Sequence, residues 1–204
     1  MSTLLTRGPA RTWTVAFGLL VLSVAATIVF TVVVTLIGQV ALPAQANGSL
    51  VASGGRTAGS VLLGQSFTDT KGNALPQWFQ SRPSASSYDG AASGGSNLGP
   101  NSADLVTAVE ERRAAVAAFE GVAPADVPAD AVTASASGLD PGISPEYAAL
   151  QVRRVAADRG VSLHDVQELV DDATHGRDLG FIGAPWVNVV RLNLALDQRF
   201  GSAG

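Results

Sequence analysis

Residues 13–42 read WTVAFGLLVLSVAATIVFTVVVTLIGQVAL, and this stretch decides the organisation of the whole chain. It lies within a longer run, from Thr12 to Gly55, that contains no charged residue. A helix of about 20 apolar residues is long enough to cross the hydrocarbon core of a bilayer. Valine and isoleucine are mediocre helix formers in water, but in lipid a helix satisfies every backbone group internally. We therefore predict a transmembrane helix over residues 13–42, ended by Pro43.

The same stretch has an alternative interpretation as a cleaved secretory signal. Ala44-Gln45-Ala46 has the small-x-small form of a cleavage site. The apolar region of a signal peptide usually spans about 7–15 residues, and this one is about twice as long, so a retained anchor is preferred. Arg7 and Arg11 precede the stretch, and the next basic residue is Arg56. The positive-inside rule then predicts that the N-terminal residues 1–12 are cytoplasmic and that residues 47–204 lie outside the cytoplasm.

The part of the chain beyond the span is acidic and has no cysteine. Of the 13 basic residues, two precede the span, which leaves 11 against 17 acidic residues and a net charge of −6. This balance does not favour nucleic-acid binding. Without cysteine there is no disulfide framework, no thiolate nucleophile and no cysteine-based zinc site. Aromatic residues are few and glycine is abundant, which indicates a core of small side chains.

Pattern reading predicts an α+β domain over residues 60–204, joined to the span by a linker over 43–59. Residues 61–63 and 78–82 each have the pattern of a short strand. Residues 84–101 form a long loop of Ser, Gly, Ala and Asn, and a loop of this length is usually functional or disordered. About four helices follow, so that the domain combines those helices with a few short strands.

The predicted helices are marked by capping residues and by apolar periodicity. The first is bounded by Ser102 and Gly121, the second by Ser144-Pro145 and Gly160, the third begins at Ser162, and the last begins at Pro185. Their apolar faces are Leu105, Val109, Val116 and Phe119; Ala148, Val152 and Val155; Leu163, Val166 and Val170; and Val189, Leu192, Leu196 and Phe200. Residues 187–190 could instead form a strand, and the helix is preferred.

Several catalytic motifs are missing from the sequence. The one lysine, Lys71, is not part of a Gly-Lys-Ser/Thr phosphate loop, and no aspartate precedes a lysine as in the Asp-Lys-Thr-Gly site of P-type pumps. No serine has the glycine spacing of a nucleophile elbow. His164 and His175 fit helix-end positions better than catalysis. His164, Asp165 and Glu168 could meet around a metal on one helix side, but an exposed acidic face explains them equally well.

Three polar, turn-rich stretches remain as candidate sites. They are Arg82-Pro83-Ser84-Ala85, Ser93-Gly94-Gly95-Ser96-Asn97-Leu98-Gly99-Pro100, and residues 133–141 with Ser137, Gly138 and Asp140. The second stretch has the composition of a phosphate loop, because its backbone N–H groups could point at an anion. From spacing alone, the preferred explanation of all three is tight turns in which Ser and Asn satisfy backbone groups.

Read in order behind a single span, these stretches resemble the C subunit of the bacterial Kdp potassium-transporting P-type ATPase. The matching segments also include residues 59–65, residues 78–81, the helix over 148–159 and residues 187–197, so the resemblance is collinear over essentially the whole chain. The chain departs from the family pattern at Gly142, where a histidine is expected, and at Ala184, where a glutamate is expected. A family role of either side chain is therefore not carried over.

The resemblance implies an anchored, non-catalytic subunit in the bacterial inner membrane, with its main domain outside the cytoplasm. Its partners would be a channel-like potassium-selecting subunit, a P-type subunit that hydrolyses ATP, a very small membrane subunit and the lipid bilayer, but no nucleic acid. No cofactor is held permanently, since the complex handles ATP and potassium. The family is required for assembly and is described as a catalytic chaperone that raises the ATP affinity of the hydrolysing subunit. The glycine loop resembles an ABC-transporter signature, yet its predicted location outside favours indirect coupling.

Two other functions stay open on sequence grounds. A membrane-anchored sensor or ligand-binding module would use the long Ser/Gly loop as its pocket. A secreted enzyme would require cleavage before Asn47, and the sequence offers no catalytic constellation to support it.

Overall fold

The computed structural model describes residues 9–201, which divide into one compact unit up to Ser49 and a second from Leu50 onward. The first unit consists of helix α1, Pro9–Ala41, and the short helix α2, Pro43–Ala46. Within α1, the segment Thr12–Ala41 contains an 18-residue stretch with a mean hydropathy of 2.7, and none of this stretch is buried. An apolar helix long enough to span a membrane therefore lies where the sequence predicts one. Arg7 lies outside the described residues.

The second unit begins with a β-hairpin inside the segment predicted as a linker. Strands β1, Leu50–Ser53, and β2, Arg56–Ser60, pair antiparallel, with an irregularity of register between Val51 and Ala52. Gly54 and Gly55 both have positive φ, as a two-residue hairpin turn with the correct twist requires. The small, polar residues that suggested a linker are thus in part the residues of a tight turn.

The remainder of the second unit packs helices around a small antiparallel sheet. The helices are α3, Ala103–Glu120; α4, Ala129–Val132; α5, Pro145–Arg159; α6, Leu163–Ala173; and α7, Val189–Phe200, with a 3₁₀ turn at Pro124–Asp126. The strands β3, Gly142–Ile143; β4, Thr174–His175; and β5, Trp186–Asn188 form a sheet in the order β3-β5-β4. The predicted α+β class is confirmed, with the helices close to their predicted positions.

The helix ends show why the sequence located them well. The Ser144 and Ser162 hydroxyls accept hydrogen bonds from the backbone N–H groups three residues ahead. Gly121 and Gly160 end α3 and α5 in the left-handed conformation. Ser102 occupies the predicted N-cap position of α3, but its hydroxyl makes no capping hydrogen bond.

The core lies between α5, α6, α7 and the central strand β5. Its fully buried side chains include Val155 of α5, Val166 of α6, and Leu192 and Leu196 of α7. Phe79, from an irregular segment, is equally buried. The predicted apolar faces of α5 and α7 are confirmed, whereas Leu163 at the start of α6 is exposed.

The two predicted strands at 61–63 and 78–82 are wrong, since both segments are irregular. Their backbone polar groups bind side chains instead of a neighbouring strand. Asn193 accepts from the Phe79 N–H at 2.9 Å and donates to the Phe79 carbonyl at 3.0 Å. Gln151 likewise accepts from the Gln80 N–H at 2.6 Å and donates to the Gln80 carbonyl at 3.1 Å. Asn188 donates to the Val61 carbonyl at 2.8 Å.

The last predicted helix begins later than the sequence indicates. Residues 186–188 form β5, and the Asn188 side chain accepts from Arg191 N–H to cap α7, which starts at Val189. The predicted start at Pro185 is therefore wrong. The alternative, a strand, describes residues 186–188, and the preferred helix describes the residues from Val189 onward.

Candidate functional site

The three polar stretches predicted from the sequence meet in one hydrogen-bonded cluster. Ser84 Oγ donates to the carbonyl of Gly138 at 2.7 Å. Ser93 Oγ and the Gly94 N–H both donate to the carbonyl of Ser137, at 3.0 and 2.9 Å. The Ser135 N–H donates to the carbonyl of Pro83 at 3.1 Å, so the third stretch is held by both of the others.

An ion pair joins the first and third stretches on the surface side of the cluster. Arg82 Nη1 lies 2.9 Å from Asp140 Oδ2, and Arg82 Nη2 donates to the carbonyl of Thr133 at 3.3 Å. The other oxygen of Asp140 accepts from the Gly142 N–H at 2.9 Å. Arg82 Nε is buried without a hydrogen-bond partner among the described residues. Both charges are partly exposed, so the pair fixes geometry more than it adds stability.

Tyr88 forms hydrogen bonds with two residues of the first stretch. Its hydroxyl donates to the carbonyl of Arg82, and its N–H donates to Ser84 Oγ at 3.0 Å. Burial raises the pKa of the Tyr88 phenol to about 12, with the nearby Asp140 carboxylate also raising it and a Ser81 hydrogen bond and Arg82 opposing. The phenol is therefore a stable hydrogen-bond donor throughout the neutral range. Tyr88 follows the predicted Arg-Pro-Ser-Ala stretch but was not among the predicted site residues.

Glycine is required where the stretches approach one another most closely. Gly138 has a φ of +68°, and a Cβ there would overlap Ser86 Oγ and lie 2.7 Å from the carbonyl oxygen of Gly94. A Cβ at Gly95 would lie 2.9 Å from the carbonyl oxygen of Ala136. These glycines let backbone pack on backbone, which explains their place in the predicted pattern.

The tip of the glycine loop lies apart from this cluster. Ser96 and Asn97 are exposed, and Asn97 adopts a left-handed conformation with φ of +54°. Of the predicted site residues, the structure therefore brings Arg82, Pro83, Ser84, Ser93, Gly94, Gly95, Ser137, Gly138 and Asp140 together.

A surface recess of about 300 Å³ opens beside the ion pair. Arg82, Asp130 and Asp140 supply its charged groups, and Ile143 and Trp186 supply apolar surface. Asp130 is already engaged, because its two oxygens accept from the N–H and hydroxyl of Ser144 at 2.7 and 2.8 Å. The two positions that depart from the expected family pattern, Gly142 and Ala184, also line this recess.

Buried polar side chains on α3, α5 and α7 support the cluster, and the sequence prediction missed them. Gln151 and Asn193 hold the backbone just before Arg82, as described above. Arg154 donates to Glu120 and to the carbonyls of Pro76 and Trp78. Arg159 pairs with Asp197 at 3.1 Å and donates to the carbonyl of Gln77. Burial raises the pKa of the Glu120 carboxyl, while its hydrogen bond and ion pair with Arg154 oppose the rise.

A sequence signal for these residues does exist. Gln151 lies among Ala148, Val152 and Val155, and Asn193 lies beside Leu192. A polar side chain on an otherwise apolar helix face must find a hydrogen-bond partner in the core. Here the partners are backbone groups of the segment that was predicted as a strand.

The carboxylates of the possible metal cluster and His175 contact other side chains. Asp165 and Glu168 lie 3.6 and 2.8 Å from Arg199, as expected for an exposed acidic helix face. His175 belongs to β4 and stacks on Trp186, with ring centroids 4.8 Å apart. Within residues 9–201, no group of three or more His, Cys, Asp or Glu side chains is arranged to hold a metal ion.

Comparison with known proteins assigns the family. The family model of the K+-transporting ATPase c chain, KdpC, matches residues 12–198. The chain belongs to the KdpC family. Similar proteins named potassium-transporting ATPase KdpC subunit occur in Kineococcus radiotolerans, 55% identical over 88% of this chain and 90% of that protein, and in Herpetosiphon aurantiacus, 46% identical over 88% and 92%. A third, from Sorangium cellulosum, is 53% identical over 80% of this chain and 84% of its own length.

Membership of the KdpC family confirms the resemblance drawn from the three motifs. It makes the chain a subunit of a K+-transporting ATPase and therefore a member of a multi-subunit assembly. The apolar helix α1 agrees with association of that subunit with a membrane.

Proposed function

We propose that this KdpC-family chain is a non-catalytic accessory subunit of a high-affinity, ATP-driven potassium uptake complex. A single pass of α1 anchors it in the bacterial inner membrane, with the N-terminus cytoplasmic and the unit from Leu50 onward extracytoplasmic. Its partners are a channel-like potassium-binding subunit, a P-type ATP-hydrolysing subunit and a very small membrane subunit. It is needed for their assembly, and it acts as a catalytic chaperone that raises the ATP affinity of the hydrolysing subunit.

The observation that carries this proposal is the use of the glycine loop inside the fold. The Ser93 hydroxyl and the Gly94 N–H both donate to Ser137, and Gly95 packs on the Ala136 carbonyl. A phosphate-binding loop needs its backbone N–H groups free to point at the anion. Donors already engaged with Ser137 support a role in building a contact surface for another subunit instead.

An effect on ATP affinity is then exerted through the partners. The chain would stabilise the pump conformation that binds ATP better, so that the nucleotide effect is a coupling free energy between two sites. Coupling of this kind is reciprocal for binding. ATP should therefore tighten the binding of this chain to the other subunits by the same factor by which the chain tightens ATP binding.

The first test is reconstitution of the complex with and without this chain. We expect the remaining subunits to assemble poorly alone, and the KM for ATP of the purified assembly to fall as the full-length chain is added back. The affinity of the chain for the assembly should be higher in the presence of a non-hydrolysable ATP analogue than in its absence. Full assembly and normal potassium pumping without the chain would contradict the proposal.

A second test separates indirect coupling from direct nucleotide contact. Calorimetric titration of the purified full-length chain with millimolar ATP is expected to show no binding heat above that of dilution. Saturable binding to the chain alone would overturn the indirect mechanism while leaving its membership of the complex intact. Potassium chloride serves as the matched ionic control.

A further inference from the structure

The connection between β4 and β5 is an exposed hairpin built on the core. His175 pairs with Trp186, and Thr174 pairs with the fully buried Val187, so both ends of the connection are fixed. The stacked rings of His175 and Trp186 close its base. After Asn188 the chain enters α7, whose apolar face forms part of the core. The hairpin is therefore anchored at its root to the core of the second unit.

The tip of the hairpin is a defined turn. Asp178 and Ile182 exchange two backbone hydrogen bonds of 3.0 and 2.9 Å, and the Phe181 N–H also donates to the Asp178 carbonyl at 3.2 Å. Leu179 is held at a φ of +52°, a conformation that is unusual for a bulky residue and persists only where the surrounding turn imposes it. This turn fixes the backbone that carries its side chains before any partner binds, which lowers the entropy cost of binding.

That turn presents apolar side chains to solvent. Leu179 is 83% exposed, Phe181 is 72% exposed and Ile182 is 49% exposed. These three large apolar residues lie within four positions of one hydrogen-bonded turn, so they form an exposed apolar patch instead of single scattered hydrophobics. A patch of this kind marks a binding surface.

Charge distinguishes between the two surfaces that such a tip could bind, an anionic membrane and another protein. A loop that inserts into an anionic membrane surface is usually flanked by several basic residues. Here Arg177 is followed by Asp178, and the part of the chain after the span has 11 basic against 17 acidic residues. This balance does not favour an anionic lipid surface. KdpC-family membership, in contrast, supplies protein partners.

The recess described above adjoins the root of the hairpin and completes a binding face. Ala184, Pro185 and Trp186 line the recess on one side, and the Arg82–Asp140 ion pair lines it on the other. An apolar tip next to fixed polar groups has the composition of a protein interface, with an apolar centre and a polar rim.

We propose that the apolar tip formed by Leu179, Phe181 and Ile182 is an anchor that inserts into an apolar recess on the extracytoplasmic surface of another subunit of the same ATPase. The polar recess around Arg82 and Asp140 forms the rim of that contact. This inference rests on the proposed function, because it requires the domain and its partner surface to lie on the same side of the membrane.

The test is site-specific photocrosslinking of the full-length chain in membranes that contain the whole complex. A benzophenone amino acid replaces Phe181, and in a matched control it replaces Leu163, an exposed apolar residue at the start of α6. We expect a covalent adduct between position 181 and a larger subunit, and no such adduct from position 163. A lipid adduct at 181, or none in membranes where the complex is present, would overturn the inference.

Substitution gives a second measurement. Phe181→Asp should reduce recovery of the chain with a tagged hydrolysing subunit by about tenfold or more, the loss expected for one interface hot spot. The matched Leu163→Asp should have little effect. Both variants should keep the thermal unfolding midpoint of the isolated chain, because both side chains are exposed. Normal recovery of Phe181→Asp would refute the anchor, whereas failure of the unsubstituted chain to co-purify would refute the proposed function itself.

Discussion

At the scale of single residues, three amides replace the strand pairing that the sequence suggested. Gln151 and Asn193 each bind both the N–H and the carbonyl of one residue, as a neighbouring strand would. Asn188 caps α7 with its oxygen and binds Val61 with its nitrogen. The sequence predicted strands at 61–63 and 78–82, but periodicity cannot tell which groups will satisfy a buried backbone.

Removing one of these amides should therefore be costly. Asn193→Ala leaves the buried N–H and carbonyl of Phe79 without partners, and we expect it to lower the free energy of unfolding by about 2–4 kcal/mol. The measurement is urea-induced unfolding of the full-length chain in detergent. Gln198→Ala, at an exposed position of the same helix, is the control and should change little. Equal effects of the two substitutions would show that Asn193 does not hold the segment.

The buried phenol of Tyr88 gives a pH signature. Its pKa is about 12 in the folded chain, above the ordinary value of 10, so the folded state holds the proton more tightly. The resulting stability is complete below pH 10 and is lost as the pH rises toward 12. Relative to Tyr88→Phe, the unsubstituted chain should lose unfolding free energy across this window. Parallel pH profiles of the two proteins would contradict this assignment.

At the scale of elements, the helices could be predicted and the short strands could not. Ser144, Ser162, Gly121 and Gly160 act locally, so the sequence around each is enough to place a helix end. β3 and β4 have two residues each and exist only because β5 lies between them. No local pattern specifies such pairing. The polar cluster was predicted as three separate stretches, and only the fold shows that they are one site.

Gly138 and Gly121 allow the packing of that cluster to be measured. Both have a φ of +68°, but a Cβ at Gly121 would meet open space, whereas at Gly138 it would overlap Ser86. Gly121→Ala should cost about 1–2 kcal/mol of unfolding free energy for the left-handed backbone alone. Gly138→Ala should cost about 1–3 kcal/mol more for the overlap. Equal losses in urea unfolding would mean that the stretches separate easily.

At the scale of the whole molecule, the family and the apolar helix could both be recognised from the sequence. The family assignment depended on the order of several motifs along the chain, which is a global property that survives errors in local structure. The side of the membrane on which the domain lies depends on Arg7 and Arg11 against the uncharged stretch that follows. Site-specific labelling tests this predicted side.

The absence of cysteine makes this experiment direct. A cysteine at Ser96, an exposed position in the glycine loop, should react with a membrane-impermeant thiol reagent in intact cells. A cysteine at Ser2 should react only after permeabilisation. Permeabilised cells also show whether a partner masks position 96. Labelling at 96 only after permeabilisation would place the loop in the cytoplasm and make direct contact with ATP the leading explanation of it.

The hydrogen bonds from side chains of α5 and α7 to the backbone of residues 77–80 also affect when the domain can fold during synthesis. The Phe79 N–H donates to Asn193, which lies 114 residues later in the chain. The Gln77 carbonyl accepts from Arg159, which lies 82 residues later. During synthesis, the first third of the domain thus emerges before the side chains that will bind its backbone. The domain can close only when its final helix arrives, so a stop codon just before α7 would leave an unfolded substrate for proteases, however much of the motif cluster it retained.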